Sequence, residues 1–289
     1  DLDACIGNDG NHNEIWINNG AGVFSNPGQN LGAYRTWGLS LGDLDGDGDL
    51  DMFEANYDTQ SDRVYWNDGT GNFTDSGQML GASDSFDADL ADLDDDGDLD
   101  AFVTNFLQSN DVWINDGAGN FTATGQSFGA GANNAAALGD LDNDGDIDAI
   151  VSRTSPNNTF AILLNDGQGF FESNGQNLTN KFHLNAALGD MDGDNDLDAL
   201  LALYSGTNNL WINGLSQGRG DDCTYFENLN TWLDNPVMYP NMIGQQVVTL
   251  TAYDVAGNTS TCTAVVTVNA PSAEICGNGL DDNCNGQID

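Results

Sequence analysis

The chain has 289 residues, with 46 acidic and 5 basic side chains and a formal net charge of −41. Charged residues make up only 18% and hydrophobic ones 39%, so the imbalance comes from missing bases, and the composition builds a core rather than a solvated tail. Such a charge excludes nucleic acid and anionic membrane as primary partners, because both would be repelled, and points instead to cations.

In chain order, Asp1-Leu2-Asp3 matches Asp49-Leu50-Asp51, so the start reads as a cut inside an acidic loop, with further repeats expected ahead of it. No apolar run of about 18 residues could span a membrane. The segment Gly42 to Asp51, Gly-Asp-Leu-Asp-Gly-Asp-Gly-Asp-Leu-Asp, recurs as Ala91 to Asp100, Gly139 to Asp148 and Gly189 to Asp198, in steps of 49, 48 and 50 residues. A second element keeps the same beat: Asn18-Asn19-Gly20, Asn67-Asp68-Gly69, Asn115-Asp116-Gly117, Asn165-Asp166-Gly167 and a degraded Asn213-Gly214. A third follows it, with Phe24, Phe73, Phe121 and Phe171 each four residues ahead of a Gly-Gln pair.

Each repeat reads as four short strands. Around the third acidic loop these are 134–139, 149–152, 160–164 and a strand through Phe170 and Phe171, with Asn-Asp-Gly as a hairpin turn that tolerates positive φ. About 48 residues per four-stranded unit is the size of a propeller blade, and an alanine-rich first strand suits a crowded central axis. The expected fold is all-β, a propeller of which about five blades are visible. In an up-and-down blade successive turns alternate between faces, so the acidic loop and the Asn-Asp-Gly hairpin share one face. The second turns and inter-blade connections form the other, which varies and carries Tyr34, Arg35, Trp37, Tyr57, Arg63, Phe106, Arg153, Lys181, His183 and Tyr204.

The frame Asp-x-Asp-x-Asp-Gly-Asp-x-Asp offers side-chain oxygens at positions 1, 3, 5 and 9. Hard oxygen ligands at this density suit calcium, whereas zinc or copper would want His or Cys. Position 6 must turn sharply, which fits Gly48, Gly97, Gly145 and Asn195. Position 8 is apolar (Leu50, Leu99, Ile147, Leu197) and is expected to anchor the loop to the blade core. A merely solvated acidic turn is the bland alternative, and four near-identical copies argue against it.

These residues resemble the FG-GAP/VCBS repeats, calcium-bearing propeller blades of integrin α-chains and many secreted bacterial proteins, over about residues 1–218. The resemblance implies about four calcium sites: Asp43, Asp45, Asp47 and Asp51; Asp92, Asp94, Asp96 and Asp100; Asp140, Asp142, Asp144 and Asp148; and Asp190, Asp192, Asp194 and Asp198. Position 7 (Asp49, Asp98, Asp146, Asp196) would contribute its backbone carbonyl, leaving its side chain to the surroundings of the ion.

Beyond residue 218 the repeat stops. Residues 219–270 contain two alternating strands across Gly257-Asn258 and resemble the end of HYR modules, immunoglobulin-like extracellular sandwiches, which implies a Cys223–Cys262 disulfide. Residues 271–289 resemble a short Cys-containing repeat of bacterial surface proteins described as metal-binding. There Asp281, Asn283, Asn285 and Asp289 occupy positions 1, 3, 5 and 9 of the calcium frame, and Cys276 and Cys284 would close the loop. A weaker calcium site, a copper site and a disulfide-stapled turn without metal all remain open for it. Cys5 aligns with apolar strand positions and reads as a small buried hydrophobe.

The expected function is a non-catalytic calcium-binding module of a secreted or cell-surface protein, bacterial by its resemblances. It would bind an extracellular protein or polysaccharide through the variable face, with Tyr34, Arg35, Trp37, Tyr57, Arg153 and His183 as contact residues, beside further domains of the same parent chain. The rival is a polysaccharide lyase or hydrolase, or its accessory propeller, with His183, Lys181 and Arg153 as the candidate catalytic group.

Overall fold

A computed structural model describes residues 2–153, 159–178, 183–191, 193, 195–203, 208–213, 244–253 and 259–268. Every regular element among them is a β-strand. Of the residues singled out above, Asp192, Asp194, Lys181, Tyr204, Cys223, Cys276, Cys284, Asp281, Asn283, Asn285 and Asp289 lie outside the described residues, as do the side chains of His183 and Cys262.

The repeat folds as propeller-type blades, each an antiparallel meander. The first sheet comprises β1 (Ala4–Ile6), β2 (Glu14–Asn18) and β3 (Phe24–Ser25). The second comprises β4 (Thr36–Gly42), β5 (Asp51–Asn56), β6 (Arg63–Asn67) and β7 (Phe73–Asp75). In the third, β8 (Ser85–Ala91) pairs with β9 (Asp100–Asn115), which continues through the place where a second turn was expected and pairs with β10 (Phe121–Ala123). The chain makes that bend at Leu107, whose φ of 57° stands in for a loop. The fourth blade holds β11 (Phe128–Gly139), β12 (Asp148–Arg153), β13 (Thr159–Asn165) and β14 (Phe171–Leu178), and is joined to the third in one seven-stranded sheet where β11 pairs with β9; the fifth holds β15 (His183–Gly189), β16 (Asp198–Leu203) and β17 (Asn209–Trp211). A separate hairpin, β18 (Gly244–Tyr253) with β19 (Thr259–Val268), agrees with the two strands read across Gly257-Asn258.

The repeat is kept to the residue. Each acidic loop is closed by the same pair, Gly42 with Asp51, Ala91 with Asp100, Gly139 with Asp148 and Gly189 with Asp198. Side chains on the central strands are buried on both faces, because each blade is sandwiched by its neighbours. All six residues of β5 are buried: Met52 packs with Ile15, Leu31 and Tyr65 toward the first blade, and Phe53 and Ala55 with Ala88, Val103 and Phe121 toward the third. Similar cores join the third blade to the fourth (Phe102, Ala136, Val151, Phe171) and the fourth to the fifth (Ile150, Phe160, Leu201). Cys5 joins the first of these cores, and burial pushes its thiol up to about 11, with Asp3 adding to the shift, so it is an unreactive hydrophobe.

The first strands approach closely: a Cβ at Gly38 would lie 2.8 Å from Asp87 Cα of the next blade. Position 8 of the acidic loop joins the core of its own blade, as expected, and reaches the preceding blade as well. Leu99 covers Gly42 and Leu197 covers Gly139, while Leu50, which follows a blade lacking a described first strand, is 55% exposed.

The Gly-Gln pair is a clamp between blades. Gln29 donates to Gly71 O and accepts from Phe73 N, at 2.6 and 2.7 Å. Gln78 does the same with Gly119 and Phe121 (2.7 and 3.0 Å), and Gln126 with Gly169 and Phe171 (2.7 and 2.9 Å). One side chain thus satisfies both backbone groups at the edge of the next blade's hairpin. Replacing Gln78 by Ala orphans that pair and should lower unfolding stability by about 2 kcal/mol, read as a lower denaturant midpoint in saturating calcium.

Candidate metal loops and aromatic platform

The acidic loops are built around the Asp at position 9. Asp51, Asp100, Asp148 and Asp198 are fully buried. In each, one oxygen accepts the N–H of the loop's second residue and the other that of the hairpin Asn: Leu44 and Asn67 on Asp51 (3.0 and 2.8 Å), Leu93 and Asn115 on Asp100 (2.9 and 2.7 Å). Asp148 and Asp198 repeat the arrangement with Leu141 and Asn165, and with Met191 and Asn213. At the other end of the loop the position-1 carboxylate accepts the N–H of position 6, as Asp43 does from Gly48 (3.0 Å) and Asp190 from Asn195 (3.1 Å). Position 6 has φ of 94°, 97°, 105° and 75° in the four loops, the conformation the Gly and Asn there were read to need.

These turns bring carboxylates together. One oxygen from each of Asp43, Asp45 and Asp51 lies within 4.8 Å of the others, as do those of Asp92, Asp94 and Asp96, and of Asp140, Asp142 and Asp148. Calcium binds oxygens at about 2.3–2.6 Å, so atoms this close can share one ion. Asp94 Oδ1 and Asp140 Oδ1 are buried acceptors without a protein donor, a state that a cation would relieve. The donor set is all oxygen, which fits calcium and not zinc or copper. Asp47 and Asp144, at position 5, accept the N–H groups of Asp49 and Asp146 (2.9 and 3.0 Å).

Position 7 has a different surrounding. The carboxylates of Asp49, Asp98 and Asp146 sit over Gly69, Gly117 and Gly167 of their own hairpins, where any Cβ would collide. Asp196 accepts a hydrogen bond from Asn143 of the preceding loop.

Burial raises the carboxyls of Asp100 and Asp148 to about 6, the backbone donors offsetting it only in part, and raises those of Asp51, Asp94 and Asp142 as well. Unfolded, such groups ionise near 3.9. The metal-free fold therefore holds extra protons, and its stability falls as pH rises from about 4 to 6. A bound cation needs those protons gone, so its stabilising effect grows over the same range.

On the opposite face a recurring bulge aims side chains outward. Thr36 pairs with Asn56 and Gly38 with Ala55, leaving Trp37 as the extra residue; Phe86 is the extra residue between Ser85 and Asp87. Tyr57 and Phe106, at the ends of the second strands, complete a cluster. Its ring centroids are 4.5 Å apart for Trp37–Phe86, 5.3 Å for Trp37–Tyr57 and 5.1 Å for Phe86–Phe106. Trp37 is 49% exposed. Arg35 lies 5.0 Å over the Tyr57 ring and is paired with Asp9 at 2.6 Å.

Arg35, Trp37 and Tyr57 are thus brought together as expected, whereas Tyr34 lies under Arg63, 5.0 Å from its ring. Arg153 is at the end of β12, its guanidinium lowered by desolvation and its Nε buried. Phe86 was missed, although it stands 49 residues after Trp37, just as Phe106 stands 49 after Tyr57.

The chain matches the FG-GAP-like repeat at residues 1–54, 43–103, 92–151 and 140–201. No curated protein matches it. Among solved structures it is similar to a chain of the Photorhabdus luminescens Tc holotoxin pore, 18% identical with a TM-score of 0.36, over 71% of this chain and 11% of that one. A likeness at that TM-score carries no argument about function.

Calcium should raise the melting midpoint more at pH 7 than at pH 5, and Asp100→Asn should shrink that increment; scanning calorimetry across that range reads both.

Proposed function

Because the chain belongs to the FG-GAP-like repeat family, we propose that it is a non-catalytic, calcium-stabilised binding module of a secreted or cell-surface protein. The observation that carries this reading is the recurrent convergence of carboxylate oxygens within 4.8 Å, with buried acceptors lacking donors. Calcium would be held by positions 1, 3, 5 and 9 of each loop, which sit at fixed places relative to the blade. Millimolar extracellular calcium would keep such sites filled. The HYR-like hairpin and the Cys-containing tail fit the same setting, with Cys223–Cys262 and Cys276–Cys284 as proposed disulfides.

The partner-binding surface would be the Trp37–Tyr57–Phe86–Phe106 platform with Arg35 at its rim. Exposed aromatic rings suit both the apolar faces of sugars and protein side chains, so an extracellular polysaccharide or protein is the proposed ligand class.

Two measurements test the proposal. EDTA should lower the melting midpoint, and an unchanged midpoint would remove calcium as a structural element. Arg35→Ala with Trp37→Ala should weaken retention on a panel of immobilised polysaccharides and extracellular matrix proteins at least tenfold, while leaving the calcium-dependent melting intact.

A further inference from the structure

Beneath the aromatic platform lies a buried polar chain that repeats from blade to blade. At the first junction Asn13 Nδ2 donates to Thr36 Oγ1 (2.9 Å), and Thr36 Oγ1 lies 3.1 Å from Asn56 Oδ1. At the second junction, 49 residues on, the corresponding residues are Asp62, Ser85 and Asn105. Ser85 Oγ is 3.0 Å from both Asp62 Oδ2 and Asn105 Oδ1. Asn13 and Asp62 also play the same second part, their Oδ1 atoms accepting Asn8 N and Asn56 N, each at 2.8 Å.

The protons can be counted. Asn105 Nδ2 donates to Ser109 O and Asp111 Oδ2, both at 2.7 Å, which fixes its Oδ1 toward Ser85 as an acceptor. Ser85 has a single hydroxyl proton and faces two acceptors. With Asp62 ionised, one of the two contacts has no hydrogen. With Asp62 protonated on Oδ2, it donates to Ser85 as Asn13 Nδ2 donates to Thr36, and Ser85 is free to donate to Asn105, so both contacts carry a hydrogen.

We propose that Asp62 is held as a neutral carboxylic acid that latches the second blade to the third, and that losing its proton releases the latch beneath the platform. Each aromatic residue of the platform directly follows a relay residue: Trp37 after Thr36, Tyr57 after Asn56, Phe86 after Ser85 and Phe106 after Asn105. The bulges that aim Trp37 and Phe86 outward therefore begin at relay residues. An ionised Asp62 would be fully buried beside Asp111 and Glu54, the two carboxyls that face it. Burial pushes its carboxyl well above the usual range; the Asn56 N–H and Ser85 offset this in part, and the charges of Asp111 and Glu54 add to it. None of the described arginines pairs with it: Arg35 is bound to Asp9 and Asp58, Arg63 turns to Tyr34 and Asp75, and Arg153 belongs to β12. Glu54, 2.6 Å from Thr36 Oγ1 and also raised by burial, faces the first junction. The latch depends on the junction alone and is independent of the ligand proposed for the platform.

The sign follows from linkage. A carboxyl raised in the folded state holds a proton that the unfolded chain gives up near pH 4, so the latch costs stability progressively as pH rises. Asp62→Asn supplies a permanent donor of the same shape, the residue found at this place in the first blade. In saturating calcium, Asp62→Asn should melt about 2–4 °C above the parent at pH 8, with the gap closing toward pH 5. A gap that stays constant across that range, or a variant less stable at pH 8, would overturn the proposal. In the unaltered protein, the carbon-13 signal of the Asp62 carboxyl should keep its protonated shift at pH 6; titration near pH 4 would overturn it equally.

Discussion

The contact on which the rest of the propeller depends is a buried carboxylate held by two backbone donors. The Asp at the end of each acidic loop spends both oxygens on backbone N–H groups, one from the loop and one from the hairpin of the same blade. That bond pair fixes where the loop begins and where the hairpin turns, two segments about 22 residues apart in sequence, as Leu93 and Asn115 are. From the hairpin the order passes backward along the molecule. Asn115 Nδ2 reaches Leu44 O of the preceding loop at 2.8 Å, Asn165 reaches Leu93 O at 2.9 Å and Asn213 reaches Leu141 O at 2.7 Å. The carboxylate clusters are thus arranged by the backbone bonds of the position-9 Asp, which in two loops is itself a member of the cluster.

This separation explains how so acidic a chain can fold. The loops concentrate like charges on one face, where exposure and cations can screen them, while the cores between blades are built from Phe, Val, Ala and Leu. On the opposite face Arg35 is paired with Asp9, and Arg63 lies over the Tyr34 ring.

Much of this was legible because the repeat is strict. Spacing of the acidic loops gave the blades, the Asn-Asp-Gly turns gave the hairpins, and alternation of turns put the variable residues on one face. Three features were not legible, each for a physical reason. The Gly-Gln pair was visible as a recurrence, but its partners lie more than 40 residues ahead, in the next blade. The reach of position 8 to a glycine of the preceding blade was hidden because sequence does not reveal which further neighbour a side chain between two blades will touch. Phe86 was passed over because it sits in an otherwise ordinary strand, and only the bulge turns it outward.

The clamps also have a direction. Gln29, Gln78 and Gln126 all reach forward to the following blade, and Asn115, Asn165 and Asn213 all reach back to the preceding loop. A junction is therefore complete whenever one copy of the motif follows another, whatever came before. Duplicating any frame of one repeat length regenerates the same clamps on both sides of the inserted copy. Blade number can change by whole units while every interface keeps its bonds, so this architecture is suited to lengthen or shorten by recombination without being redesigned.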